Sequence, residues 1–374
     1  MFTINQSLFR SKLILTFLIG ILFHHAFLAQ APKYSNEFLA IGVGARALGM
    51  SNAFVATVND ATAGYWNPAG LTRLENDMQV SLMHAEYFAG IARYDFGGFA
   101  RKIDQKSAIG FSVIRFGVDD IPDTSELIDA NGNINYDRIK SFSAADYAFL
   151  LSYARKLKKE GLSFGANAKV INRQVGSFAT AWGFGIDLGL QYQKGTWLFG
   201  AVGRDITGTF NAWSFNIPDN LRNVFNQTGN IIPENSLEIT VPRLVLGVAK
   251  KINFNQRFSL QPELNLINTF DGLRNTLIKS NTISIEPSFG MEAGYRNIVF
   301  LRAGVGNFQQ ITDINKNRVN TFQPNVGIGL KIKRFYVDYA FTNIGDQGSS
   351  FYSNIFSVKV DFNKRKATTP ATSN

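Results

Sequence analysis

The sequence predicts an antiparallel transmembrane β-barrel of about fourteen strands, with an N-terminal segment folded into its lumen. Three observations predict it. An apolar leader is followed by no second stretch long enough for a membrane helix. From residue 78 to residue 362 the chain alternates apolar and polar positions in strand-length rows. The connections between those rows alternate between short and long.

The leader comes first. Arg10 and Lys12 precede the apolar run "LILTFLIGILFHHAFLA", which ends in small residues before Gln30, so residues 1–29 are expected to be a cleaved export signal. The run is short and is interrupted by His24-His25, which argues against a membrane anchor. Residues 30–77 follow, rich in glycine and alanine and without the period of a helix or a strand. Within them, in "DATAGYWNPAGLTRL", Pro68 removes a backbone donor and biases Asn67 towards an extended conformation. Irregular backbone is tolerated at membrane depth only when buried in protein or lining a cavity. The segment is therefore expected to plug the lumen, with Trp66-Asn67-Pro68-Ala69 holding it and Trp66 wedged against the wall.

The rows begin at Met78. "TAWGFGIDLGLQYQ" puts Trp182, Phe184, Ile186, Leu188, Leu190 and Tyr192 on one face, with glycine, Asp187 and glutamine on the other. "ISIEPSFGMEAGYR" and "FQPNVGIGLKIK" repeat the pattern. These rows exceed the roughly five or six residues usual in soluble sheets and suit the roughly 9–11 tilted residues of a bilayer crossing. Strands are expected near 78–88, 91–103, 106–118, 142–156, 162–173, 180–193, 196–206, 242–251, 257–270, 283–296, 298–308, 322–333, 335–345 and 353–362. Tight turns at Asp104-Gln105, Lys194-Gly195, Arg296-Asn297 and Lys333-Arg334 mark the periplasmic end, and long connections at 119–141, 207–241, 271–282 and 309–321 mark the outside. The first hairpin, near Ala89-Gly90, is tight where length is expected. "SNIFSVKVDF" closes the barrel, and residues 363–374 form a polar tail.

Alternation also sorts the charges. Asp187, Arg243, Glu263, Glu286, Glu292, Arg302, Lys331, Asp338 and Lys359 are expected to point inward, paired with one another and with Arg46 or Asp60 of the plug. Pro262, Pro287 and Pro324 fall on outward positions, where a missing donor could loosen the wall.

At its two ends the chain resembles a known family. "GARALGMSNAFVATVNDATAGYWNPAGLTRL" looks like the N-terminal hatch of FadL-type outer-membrane proteins, and still more like that of the PorV/PorQ family of Bacteroidota-type bacteria. "VDYAFTNIGDQGSSFYSNIFSVKVDF" is similar to that family's last hairpin. The resemblance implies a fourteen-stranded FadL-like barrel in the outer membrane. For the family's best-known members it also implies a role in type IX secretion, in which the barrel binds the translocon or passes cargo to an attachment complex.

Other function classes are excluded on residues. The chain has no cysteine, so disulfides, thiolate metal sites and a cysteine nucleophile are absent. His84 is the only histidine after the leader, and no G-x-S-x-G run accompanies it, so neither a serine triad nor a histidine-ligated metal is expected. "DANGNINYD", at residues 129–137, lacks the spacing of a calcium loop and reads as a hairpin tip at Asn131-Gly132. The net charge of +10 is spread along the chain, with a single dense cluster at Lys364-Arg365-Lys366, and implies no nucleic-acid partner. No enzyme and no cofactor are expected.

The expected partners are outer-membrane lipid and proteins of the secretion machinery. Trp213, Phe215 and Phe225 in the connection 207–241 are the candidate contact residues, because that connection is more apolar than solvated loops need to be. The competing class is a FadL-like channel for hydrophobic small molecules.

Overall fold

Alternating side chains force each strand to show one face to lipid and one to the lumen, and a closed ring leaves no strand edge unpaired. The computed structural model describes residues 35–128, 132–312, 316–342 and 353–363. The export signal, the polar tail beyond Asn363 and residues 129–131 of the calcium-like run lie outside the described residues. Ile128 and Ile134 bridge across that run, and Gly132 has a left-handed φ of 84°.

The strands are β1 Met78–Tyr87, β2 Ala92–Lys102, β3 Ser107–Asp123, β4 Lys140–Lys156, β5 Leu162–Val175 and β6 Ala179–Lys194. Next come β7 Trp197–Arg204, β8 Thr209–Phe215, β9 Ser236–Thr240, β10 Arg243–Lys250, β11 Ile252–Asn253 and β12 Phe258–Thr269. The last are β13 Ile278–Lys279, β14 Ser284–Tyr295, β15 Val299–Thr312, β16 Arg318–Ile332, β17 Phe335–Thr342 and β18 Ser353–Phe362. All pairings are antiparallel, and β18 returns to β1 with Met78 opposite Phe362. Two barrel staves are broken. β7 and β8 together follow β6, and β9 and β10 together follow them, so the closed wall has 14 staves. No described helix is long and apolar enough to cross a membrane; the strands cross it.

The connection 207–241 is not a loop. It contains β8, a helix at Asp219–Thr228 and β9, and so extends the wall outward as a hairpin. The expected strand 196–206 stops at Arg204 because Asp205 adopts a left-handed φ of 55° and its backbone N–H turns to the Asp187 carboxylate, 2.8 Å away. Strands β3 and β4 likewise run further out than expected, past a bulge between Val118 and Ile121. The β12–β14 ladder keeps its register through Pro262 and Pro287, but β14 meets β15 only over Phe289–Tyr295, so Pro287 has no partner on β15, and Pro324 lies beside the bulge between Gly306 and Gln309.

Residues 35–77 lie inside this ring. They contain short helical turns at Glu37–Ala40, Ala45–Leu48, Ala63–Trp66 and Pro68–Arg73, and almost every side chain between Val43 and Leu74 is buried or partly so. Phe54, Tyr65, Trp66 and Leu71 form one apolar core with Tyr87, Tyr94, Phe96, Ile114 and Ile171 of the β1–β5 wall. Burial of each such side chain stabilises by about 1.5–3 kcal/mol, so this side of the lumen is held by packing.

Candidate functional site

The other side of the segment is held by charge. Arg46 makes a two-pronged contact with Glu292 of β14, each nitrogen 2.8 Å from a carboxylate oxygen. Glu292 also accepts from Arg302 of β15 at 2.6 Å, and Arg302 donates to Asp338 of β17 at 2.8 Å. Lys359 of β18 stands 4.0 Å from Asp338 and 2.7 Å from Asp60, and Asp60 lies 3.9 Å from Arg46. Three cations and three anions thus alternate around a closed circuit, with two members from the interior segment and four from the wall. Burial alone would raise the Asp60 carboxyl; Lys359 and Arg46 overcome it and hold the group at about 2.

Hydrogen bonds extend this attachment around the lumen. Glu263 of β12 accepts from the Ala56 backbone at 2.7 Å and from the Thr57 hydroxyl. Asn325 donates to Ser51 at 2.6 Å, Asn167 to the Gly64 carbonyl at 2.7 Å, and the Ala45 N–H to Ser357 at 2.8 Å. Asn-Pro-Ala lies directly against β5 and β6. Asn67 donates to Val55 O at 3.1 Å and to Leu190 O of the wall at 3.0 Å, while its own oxygen accepts from Ala69 N at 3.2 Å. A β-carbon on Gly189 would collide with Asn67, and one on Gly165 with the Pro68-Ala69 peptide. Further round, Gly200 makes room for Val55, and Gly290 and Gly304 for Met50. Sequence reasoning missed these glycines as a set. Their signal is present: each occupies a lumen-facing position where a polar side chain would otherwise stand.

Trp66 shares a core with wall residues and is also tied to the segment itself. Its indole N–H donates to Val43 O at 2.9 Å, and its ring packs edge-on to Phe54 and Tyr65 within the segment. The wall reaches it through Arg204, whose guanidinium sits 5.6 Å from the Trp66 ring and 4.8 Å from Tyr65. Beside the break in β7–β8, buried Lys169 joins Asp187 at 2.8 Å and Asp205 at 2.5 Å.

Trp213 and Phe215 share the face of Thr209 and Asn211, which is the lumen side of the external hairpin. The Trp213 indole donates to Glu238 at 2.9 Å and lies under Arg173 at 5.0 Å, so both aromatics brace the hairpin from within. Phe225 is half-buried on the helix above them, and Ile231 beyond it is 93% exposed. The structure does not gather these residues with Arg46 and Asp60; the two groups belong to different ends of the molecule.

Cavities lie inside the wall next to the segment, and two of them bear on its charges. One, of about 210 Å³, opens at the periplasmic end below the charge circuit and is lined by Arg46, Asp60, Glu292, Arg302, Lys331 and Lys359 among others. The second, of about 30 Å³, lies between Tyr65, Leu150, Lys169 and Arg204. Charged side chains line both.

The outer wall carries a charged cluster on one of its rungs. His84, Asp95 and Arg115 stand on adjacent rungs of β1, β2 and β3, with Asp95 2.7 Å from His84 and 3.8 Å from Arg115. They face outward, and the rung continues on β18 as Phe356, which is 56% exposed. Arg93 and Asp119, 3.3 Å apart, extend the cluster.

The family described as Type IX secretion system protein PorV matches residues 31–237, more than half of the chain. No curated protein matches by sequence. Solved structures of similar shape include the monoaromatic hydrocarbon channel CymD, at 16% identity and a TM-score of 0.53, covering 87% of this chain and 99% of that one. A FadL homologue of Pseudomonas aeruginosa aligns at 12% identity and 0.50, covering 85% and 97%. The toluene transporter TodX of Pseudomonas putida aligns at 14% and 0.50, covering 86% and 98%. At these identities the likeness is one of fold.

Proposed function

The chain belongs to the PorV family, and from that premise we propose that this outer-membrane barrel serves type IX protein secretion by binding other proteins, with its lumen plugged by residues 35–77. The outward cluster of His84, Asp95 and Arg115 carries the reading. A charge on the lipid face costs up to about 2–4 kcal/mol near the bilayer midplane, whereas a protein partner supplies polar groups to meet it. The external hairpin adds a second surface: Ile231 is exposed, and Phe225 half-exposed, above a support stiffened by Trp213, Phe215 and Arg173. The interior supports the same view, because the cavity of about 210 Å³ beside the segment is lined mainly by charged and polar side chains. On this reading the protein is not an enzyme.

The FadL-like fold keeps a second reading open, a channel for hydrophobic small molecules, and the broken staves β7–β8 and β9–β10 are the observation in its favour. Replacing Trp213 and Phe215 with serine separates the two. A secretion component loses co-purifying protein and surface delivery of cargo while its barrel still inserts. A channel changes its uptake of fatty acids or aromatic hydrocarbons and leaves secretion untouched.

A further inference from the structure

The net charge of +10 is not evenly placed in three dimensions. Each of the six short connections at the periplasmic end carries lysine or arginine in it or beside it, from Lys106 and Lys158 to Arg296 and Arg334. Several of these cations sit over an outward aromatic ring of the adjoining strand. Lys159 lies 4.8 Å from Tyr192, Lys250 5.0 Å from Trp197, Arg296 5.3 Å from Tyr295, and Arg334 5.2 Å from Phe335. An aromatic girdle marks the membrane interface of a barrel, so these cations stand at the level of the inner-leaflet headgroups.

At one point the belt meets a groove. On the outer wall below the turns 254–257 and 296–298, Phe254, Phe258, Leu260, Ala293, Tyr295 and Leu301 enclose about 430 Å³. Ala293 forms the shallow floor, the paired rings of Phe258 and Tyr295 (5.0 Å between centroids) form one side, and Leu301 forms another. Arg257 and Arg296 belong to the two turns beside it, which are joined by the Arg296 backbone N–H to Arg257 O at 2.6 Å, and the Arg296 guanidinium lies 5.3 Å from the Tyr295 ring that lines the groove. Both are exposed, and neither has a carboxylate partner among the described residues. We propose that this groove is a binding site for one anionic phospholipid of the inner leaflet, its acyl chain along Ala293 and its phosphate between Arg257 and Arg296. An apolar slot facing the hydrocarbon, with two arginines free of carboxylate partners on the adjoining turns at the headgroup level, fits that molecule on both counts. A zwitterionic lipid fills the slot equally but gains less at its mouth.

The test uses the full chain, purified in mild detergent and mixed with equal amounts of phosphatidylglycerol and phosphatidylcholine bearing the same acyl chains. Native mass spectrometry then counts the bound lipids. Phosphatidylglycerol should be retained about tenfold over phosphatidylcholine, and Arg257→Gln/Arg296→Gln should bring the ratio close to one. Lys158→Gln/Lys159→Gln, on a different periplasmic turn, should leave it unchanged. Equal retention of both lipids by the unaltered protein overturns the site, as does the same loss in both double variants. A photocrosslinker at Leu301 that captures protein instead of lipid in native membranes overturns it too.

Discussion

Arg46 of the interior segment and Glu292 of β14 lie 246 positions apart in the chain, yet they meet in a two-pronged contact with both distances at 2.8 Å. Removing one partner leaves the other buried with only part of its compensation, Arg302 for Glu292 and Asp60 for Arg46, at a cost of up to about 3–5 kcal/mol, whereas removing both spares that penalty. Arg46→Met and Glu292→Met should each lower the temperature at which the barrel loses its heat-modifiable mobility on gels. The double variant should lose less than the sum of the two. Strict additivity would show that the contact contributes nothing of its own.

Asp60 gives the attachment a pH dependence. Its carboxyl titrates at about 2 in the folded protein and near 3.8 when unfolded. A depressed folded value contributes stability that is complete above the unfolded value and is lost as the pH falls through 3.8 towards 2. The contribution is roughly 2 kcal/mol. Urea unfolding followed by circular dichroism between pH 6 and pH 2 should show that loss, and Asp60→Asn should flatten it. A variant with the same acid slope as the unaltered protein would contradict the assignment.

The packing of Asn67 against Gly189 makes a prediction about closure. Gly189→Val should push Asn-Pro-Ala off β6, and deleting residues 35–77 should empty the lumen. Both should raise ion conductance in planar bilayers above the nearly closed level of the unaltered protein, with the deletion the larger effect. Equal conductance from all three would mean that the segment does not occlude the barrel.

How far the sequence anticipates this architecture depends on whether a feature is local. Strands such as β6 and β14 are legible because period-two alternation needs no knowledge of neighbours. Glu292, Arg302, Asp338 and Lys359 are legible as lumen-facing charges for the same reason. Their closure into a circuit with Arg46 and Asp60 is not, because it depends on which strands become neighbours. The hairpin of β8 and β9 was hidden by the left-handed Asp205, by Gly208 and by the helix between the strands, which interrupt alternation. The same alternation puts His84 and Glu86, and Arg93 and Asp95, on the outward phase, so their exposure to lipid was readable. What was not readable is that Arg115 completes the cluster across β2.

The most direct test of protein contact as the function is to make the charged face suit lipid. In Asp95→Leu/Arg115→Leu the outward cluster loses its two central charges, so the face becomes more apolar and insertion and heat-modifiability should be retained. If that face binds protein, the partners that co-purify from native membranes in mild detergent should fall by about tenfold, a loss of about 1.4 kcal/mol in binding, and surface delivery of secreted cargo should fall with them. Full co-purification and undiminished secretion by a correctly inserted double variant would contradict the account.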